Sequence, residues 1–308
     1  MKNRYCICKN LIVLVISSFL ILNTSFAQNK GVLPLTGLRY FNEGIAAKDI
    51  NVKIDGAQLL SNRVPLDKEI TIELAQPTGF LLDNAKTAFA GAEVLVLSPT
   101  GEVLSKDPNV LVKNQATGFT SKDLAAVNIK FSIAAALMKN NFNGTVKIRL
   151  YDLKGKNQLR FDLPVTFARA GERLQVSKTA KPLKAPEGVK GVLNGLEAKQ
   201  MILKVDTSIK IAPQMAYTSM DIFKLEGSSI SGIFQGKETF WVFDSNLNEV
   251  KITDILLKQV KGAMENNSVD YTLKIPYRLK TSTANSYTVR FRWESPDKSQ
   301  VIDIVVTI

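Results

Sequence analysis

Apolar residues recur at every second position through most of the chain. Ile70, Ile72 and Leu74 alternate with Thr71 and Glu73, and Val146, Ile148 and Leu150 with Lys147 and Arg149. Phe161, Leu163 and Val165 alternate with Asp162 and Pro164. The same period runs through Tyr271, Leu273 and Ile275, through Phe291 and Trp293, and through Ile302, Ile304, Val306 and Ile308. A period of two predicts strands with one buried face. Val94–Leu97 is a continuous apolar run, as in a buried strand. Turn residues separate these segments: Ser98-Pro99-Thr100-Gly101, Lys154-Gly155-Lys156-Asn157, Asp244 to Asn248, and Ser295-Pro296-Asp297-Lys298. Gly and Asn supply the positive φ that tight hairpins need. Short strands with frequent turns predict an all-β fold of antiparallel, Ig-like β-sandwiches. Two short helices are expected beside them. One is a single turn over 121–126 capped by Ser121; the other is an amphipathic helix over 253–264 capped by Thr253, with Ile255, Leu256 and Val260 facing inward.

The pattern occurs twice. Residues 127–167 align with 269–308, so that Val146, Ile148 and Leu150 fall on Val289, Phe291 and Trp293. Phe161, Leu163, Val165 and Phe167 then fall on Ile302, Ile304, Val306 and Ile308, and Asp162 on Asp303. Upstream, Gly91-Ala92-Glu93 aligns with Gly236-Lys237-Glu238, which sets Trp241 opposite Val96. Two tandem sandwich domains are expected, at 38–168 and 192–308, joined by a basic, proline-bearing linker at 169–191. Proline resists helix and sheet interiors, so the linker is expected to be extended, with Leu174, Val176 and Leu183 packing on a domain.

The N-terminus has the pattern of an export signal. Lys2, Arg4 and Lys9 precede an apolar run at 11–22, and Ser25-Phe26-Ala27 ends in small residues, which predicts cleavage after Ala27. The run is shorter than the ~20 residues a membrane span needs. Both cysteines, Cys6 and Cys8, lie within this segment, and the chain has no histidine. Disulfides, thiolate sites and catalysis through cysteine or histidine are thereby excluded from the mature chain, as are the usual zinc sites. No cofactor is expected. The formal charge is +12, or +9 once Lys2, Arg4 and Lys9 are removed. Part of the excess is in the linker, where Lys178, Lys181 and Lys184 are the candidate partner-contact residues. No aromatic residues interleave with these lysines, which argues against a nucleic-acid partner.

The first half carries Ser61-Asn62-Arg63-Val64-Pro65-Leu66, Glu69-Ile70-Thr71-Ile72, Gly79-Phe80 and Gly91-x-Glu93-Val94, after a signal ending in Ala-Gln. In these motifs it resembles uncharacterised exported proteins of Bacteroidetes bacteria. The resemblance implies an envelope location and a sandwich fold, and carries no activity or site residue with it.

Several features invite chemistry, and the repeat serves as a control on each. Asp244-x-Asn246-x-Asn248 resembles the start of a calcium loop, but Glu249 stands where the turning glycine belongs. Ser98-Pro99-Thr100-Gly101 fills the same slot in the first half, so a hairpin turn is expected. Trp241 and Trp293 are expected in the core rather than on a sugar-stacking platform. Glu93 with Glu238, and Asp162 with Asp303, occupy matching places and are expected to serve the fold, pairing with arginines on the solvent face. No nucleophile elbow, Ser-x-x-Lys set or phosphate loop is present. The terminal strand at 302–308 is expected to pair with 289–293; at a sheet edge it would instead be a template for strand addition.

The expectation is an exported envelope protein, periplasmic or at the cell surface, that binds another envelope protein or a glycan and has no catalytic activity. The alternatives are a pilin-like or filament subunit and, ranked last, a carboxylate-based carbohydrate enzyme.

Overall fold

The computed structural model describes residues 30–138, 143–169, 171–183, 188–195, 200–202, 209–212, 215–226, 236–250, 257–259, 268–277 and 287–307. The expected export signal lies outside them. The first domain contains β1 (Lys30–Val32), β2 (Arg39–Glu43), β3 (Asp49–Ile54), β4 (Ala57–Leu59), β5 (Arg63–Val64), β6 (Glu69–Ala75), β7 (Ala90–Leu97), β8 (Val103–Asp107), β9 (Ala126–Ser132), β10 (Asn143–Asp152), β11 (Gln158–Phe167) and β12 (Val176–Ser177). The second contains β13 (Lys181–Pro182), β14 (Val189–Asn194), β15 (Gln200–Ile202), β16 (Ile209–Ala212), β17 (Met215–Glu226), β18 (Lys237–Phe243), β19 (Glu249–Val250), β20 (Leu257–Gln259), β21 (Ser268–Tyr277), β22 (Thr288–Glu294) and β23 (Val301–Thr307).

Each domain is a pair of sheets. In the first, β1-β2-β11-β10-β7-β8 lies over β12-β4-β3-β6-β9, with β5 added parallel to β11. In the second, β13-β14-β23-β22-β18-β19 repeats the order of the first long sheet, and β15-β17-β21-β20 forms the other, with β16 on β17. The all-β tandem architecture expected from the pattern is what the chain forms. The sheets reach past the expected limits: β1 precedes residue 38, and β12 and β13 come from the stretch read as linker.

The core of the first domain follows from the alternation. Ile70, Ile72 and Leu74 of β6 and Val127, Ile129 and Phe131 of β9 form one cluster with Val146, Ile148 and Leu150 of β10 and Leu159, Phe161 and Leu163 of β11. Burying each such side chain contributes about 1.5–3 kcal/mol, which makes a disulfide unnecessary.

The strand registers correct the sequence alignment of the two halves. Ile148 faces Phe161 in the β10–β11 hairpin, and Phe291 faces Ile304 in β22–β23. The turns close alike, Asp152 N–H to Asn157 O and Ser295 N–H to Gln300 O. Phe161 therefore matches Ile304, two residues beyond the expected Ile302, and Asp303 matches Arg160 rather than Asp162. An even shift preserves the faces, so the apolar pattern could not reveal it. Upstream the slip is one residue. Val94 faces Ile148 and Phe240 faces Phe291, so Glu93 matches Thr239, not Glu238, and Trp241 matches Leu95, not Val96. An odd shift exchanges the faces, and it carries Trp241 out of the core.

The helices also differ from expectation. The turn at Asp123–Ala125 is 3₁₀, with Lys122 at its N-cap and no side-chain cap; Ser121 does not cap it, and it is Thr120 that exchanges hydrogen bonds with Asp123. Within 253–264 the chain forms strand β20, paired with β21, instead of an amphipathic helix; the rest of that segment lies outside the described residues. Strand pairing with β21 has overridden the local helical spacing. Two single-turn helices, α1 (Val112–Gln115) and α2 (Ala135–Met138), were not foreseen.

Candidate functional site

The outward face of the second domain's long sheet is covered by the first domain. In β22 the inner residues Val289, Phe291 and Trp293 are buried, but so are Arg290 and Arg292, at 6% and 7% exposure. Asp303 on β23 is fully buried. Arg290 grips Asp303 through both oxygens, with Nε to Oδ1 at 3.0 Å and Nη2 to Oδ2 at 2.8 Å. Arg292 Nη1 adds a bond to Asp303 Oδ2 at 3.2 Å. Both arginines then reach into the first domain: Arg290 Nη2 donates to Leu35 O at 2.6 Å, and Arg292 Nη1 to Leu60 O at 2.7 Å. Ion pairs of this bidentate kind hold geometry tightly, because each donor has a fixed direction.

Local structure aims those carbonyls. Leu35 and Gly37 both adopt φ near 69° in the turn between β1 and β2, which Gly37 N–H closes on Leu33 O. Positive φ is costly for leucine, and the full burial of Leu35 offsets it. Two apolar contacts flank the ion cluster. Val32 packs with Phe243, Leu247 and Val305 on one side, and Leu35 and Leu60 pack with Val192 and Val301 on the other. Arg39 donates to Leu247 O at 3.1 Å, and Lys190 to the Tyr40 hydroxyl at 2.9 Å.

Two grooves run along this junction. One, of about 690 Å³, is lined by β2, β3 and β14 and, among the described residues, has Asp49 as its only lining carboxylate. The other, of about 490 Å³, is lined by Arg39, Arg63, Lys237, Trp241, Glu294 and Lys298 among others, with Glu249 at one end. Its charge is mostly neutralised within the fold. Arg63 Nε lies 2.6 Å from Glu172, Arg39 lies 3.7 Å from Asp162, and Arg292 bonds Glu294 at 2.7 Å. Lys237 and Lys298 are exposed at the mouth, where Lys298 also acts on Glu294 and Glu172, and Glu249 is exposed at the far end. Burial opposes ionisation of Glu294, but the hydrogen bond and charge of Arg292, helped by Gln175, outweigh it and hold the carboxyl below its usual value. Glu294 is therefore ionised at neutral pH and ill suited to general-acid work.

The groove's two carboxylates are also too far apart to act together. Glu294 faces Lys237 at one end of β18, and Glu249 faces Phe243 at the other. At ~3.3 Å per residue their backbones are roughly 20 Å apart, against the ~5–9.5 Å that glycoside hydrolysis uses.

Trp241 is half-buried, against the expectation that it belongs to the core. It sits directly across from Arg290, whose guanidinium lies 4.4 Å from the ring centre. Its flank packs on the apolar contact around Val32. Trp293 is buried as expected. Asp303 departs from the expectation of a solvent-face pair; Asp162 and Glu93 keep to it, with Arg39 and with Arg149 at 3.1 Å respectively. Asp244 forms a hairpin turn, as expected: its carboxylate accepts the Asn246 and Asn248 amides at 2.7 and 2.9 Å. Leu247 and Gly101 take the same positive-φ place in the two turns. The terminal strand β23 pairs with β22, as expected, and also with β14, so it offers no sheet edge.

Of the three candidate contact lysines, Lys178 and Lys181 are exposed on and beside the edge strand β13, and Lys184 lies outside the described residues. Neither Lys178 nor Lys181 lines a groove. The residues that build the junction, Arg290, Arg292, Leu35 and Leu60, had no distinguishing signal in the sequence. Arg290 and Arg292 read as the solvent side of an alternating strand, like Lys147 and Arg149. Neither a family model nor a curated protein matches the chain.

Proposed function

We propose that this is an exported envelope protein without catalytic activity, which holds another envelope protein in the groove beside Trp241. One observation carries the reading: the buried Arg290–Asp303–Arg292 cluster ties the domains together, so the groove is already formed before any partner arrives. A preformed site avoids the ordering cost that weakens flexible binders. The exposed Lys237 end of the groove favours an acidic side chain of the partner there. A protein is favoured over a glycan because Trp241 is half-buried, with Arg290 over one face of its ring and its flank on the Val32 contact, which leaves little ring for a sugar to stack on. The separation of Glu249 from Glu294 supports a binding role over hydrolysis. Burial of β23 between two strands takes away the feature that had suggested a filament subunit. Among the described residues no helix is long and apolar enough to cross a membrane.

The test is a photo-reactive residue at Thr239, which lines the groove, irradiated in intact cells, with the same probe at exposed Asn128 as the control. A discrete protein adduct from position 239 alone is expected. A glycan adduct, equal labelling from both sites, or glycan turnover abolished by Glu294→Gln would each overturn the proposal.

A further inference from the structure

The end of the first domain beyond the β10–β11 hairpin carries an apolar tip. The loop between β6 and β7 and the hairpin between β10 and β11 meet there. Asp152 is buried and accepts the Leu81 amide at 2.6 Å and the Lys154 amide at 2.9 Å. The Leu153 amide donates to Phe89 O at 2.8 Å, and the Asn157 side chain donates to Gly79 O at 2.6 Å. Asp83 closes its own loop on the Ala85 and Thr87 amides, both at 2.9 Å. Lys154 bridges the two segments, 3.6 Å from Asp83 and 3.8 Å from the centre of the Phe89 ring. The backbone is thus fixed, yet Leu81, Leu82 and Leu153 are 55%, 47% and 39% exposed. Lys86, Lys154 and Lys156 surround them, all exposed. The nearby acids are already engaged: Asp83 with Lys154 and backbone amides, Asp152 with backbone amides, and Glu43 with Arg160 and Gln158.

The repeat isolates this feature. The matching hairpin of the second domain, Ser295 to Gln300, puts Pro296 where Leu153 stands, and its Lys298 carbonyl accepts a bond from Gln175 of the first domain. The tip lies beyond the Gln158 end of β11, whereas the groove beside Trp241 takes in Thr166 at the other end. That separation is roughly 25 Å at ~3.3 Å per residue.

We propose that this tip is a peripheral contact for an anionic phospholipid surface. Leu81, Leu82 and Leu153 would enter the boundary between headgroups and acyl chains, and Lys86 and Lys156, which are not needed to pair Asp83, would meet the lipid phosphates. The composition argues for lipid over protein. Protein hot spots favour Trp, Tyr and Arg and under-use leucine, and lysine is depleted at protein interfaces. Leucine ringed by lysine is the pattern of interfacial membrane contacts. The proposal does not depend on the groove having a partner.

The experiment is co-sedimentation with vesicles of phosphatidylcholine alone and of phosphatidylcholine with phosphatidylglycerol, two to one. Every variant is prepared with the same N-terminus, so the apolar run at 11–22 contributes equally or not at all. Wild type is expected to pellet with the anionic vesicles and to be released by salt. Leu81→Ser with Leu82→Ser should weaken binding by about tenfold or more, and Lys86→Gln and Lys156→Gln by roughly fivefold each, with the melting temperature unchanged. Leu82→Trp should show an emission blue shift on adding anionic vesicles, which reports insertion independently of the serine variants. Three results would overturn the proposal: wild type that pellets with neither vesicle, serine variants that pellet as well as wild type, or a Leu82→Trp variant whose emission shifts only with an added protein.

Discussion

The hairpins β10–β11 and β22–β23 have the same register, the same turn closure and the same buried apolar face. They differ on the other face. Lys147, Arg149 and Arg160 of the first meet water, with Arg149 paired to Glu93 and Arg160 to Glu43. Arg290, Arg292 and Asp303 of the second are sealed beneath the first domain. One backbone design thus carries two kinds of charge. In the first hairpin the ion pairs are screened and decorate a surface. In the second they are desolvated and must satisfy one another, so they determine how the domains are joined.

The sharpest way to break this comparison is to remove the matching acidic and basic residues in turn. Asp303→Ala leaves Arg290 buried without a counter-charge and Arg292 with Glu294 alone, and should cost about 3–5 kcal/mol, read from urea unfolding. Arg160→Ala, at the matching position, should cost at most ~1 kcal/mol. Equal losses would mean that the junction is wetter than its geometry indicates. Next in size is Gly37→Ala. A residue other than glycine at this φ costs ~1–2 kcal/mol, and the added Cβ would press on the Arg290 guanidinium. Gly101 also has positive φ, at 88°, and nothing near its Cβ, so Gly101→Ala should show the backbone cost alone. The difference between the two melting temperatures measures the contact with Arg290.

The smallest expected effect is on pH dependence. The folded state holds the Glu294 carboxyl below its ordinary value of 4.5. Its contribution is therefore full above that value and is lost as the pH falls through the depressed folded pKa. Limited proteolysis across the junction should accelerate in that acid range. Glu294→Gln should flatten the part of the profile due to this group; an unchanged profile would show that Arg292 is held by Asp303 and Leu60 O alone.

The sequence showed the strands, the tandem repeat and most of the first core, because a period of two depends only on which face is buried. It missed the register between the halves for the same reason. A two-residue shift leaves every face as it was, so Asp162 and Asp303 looked equivalent although one lies beside Arg39 and the other between two arginines. The one-residue slip at Glu238 was hidden by a shared Gly-x-Glu, and with it the place of Trp241. The junction was invisible because Arg290 and Arg292 have the spacing of solvent-facing residues, and only the docking of another domain changes their surroundings. The lysines at 178, 181 and 184 stood out as a charge run, yet the grooves drew their cations from segments scattered along the chain.

By itself, then, the amino-acid order determined most of the strands and the inward faces of the first domain, since alternation and turn chemistry act over neighbouring residues. Only the tertiary structure decided which charges are buried, which aromatic ring is covered and which leucines remain in water. Those properties depend on contacts between residues as far apart as Leu35 and Arg290, and no local pattern carries them.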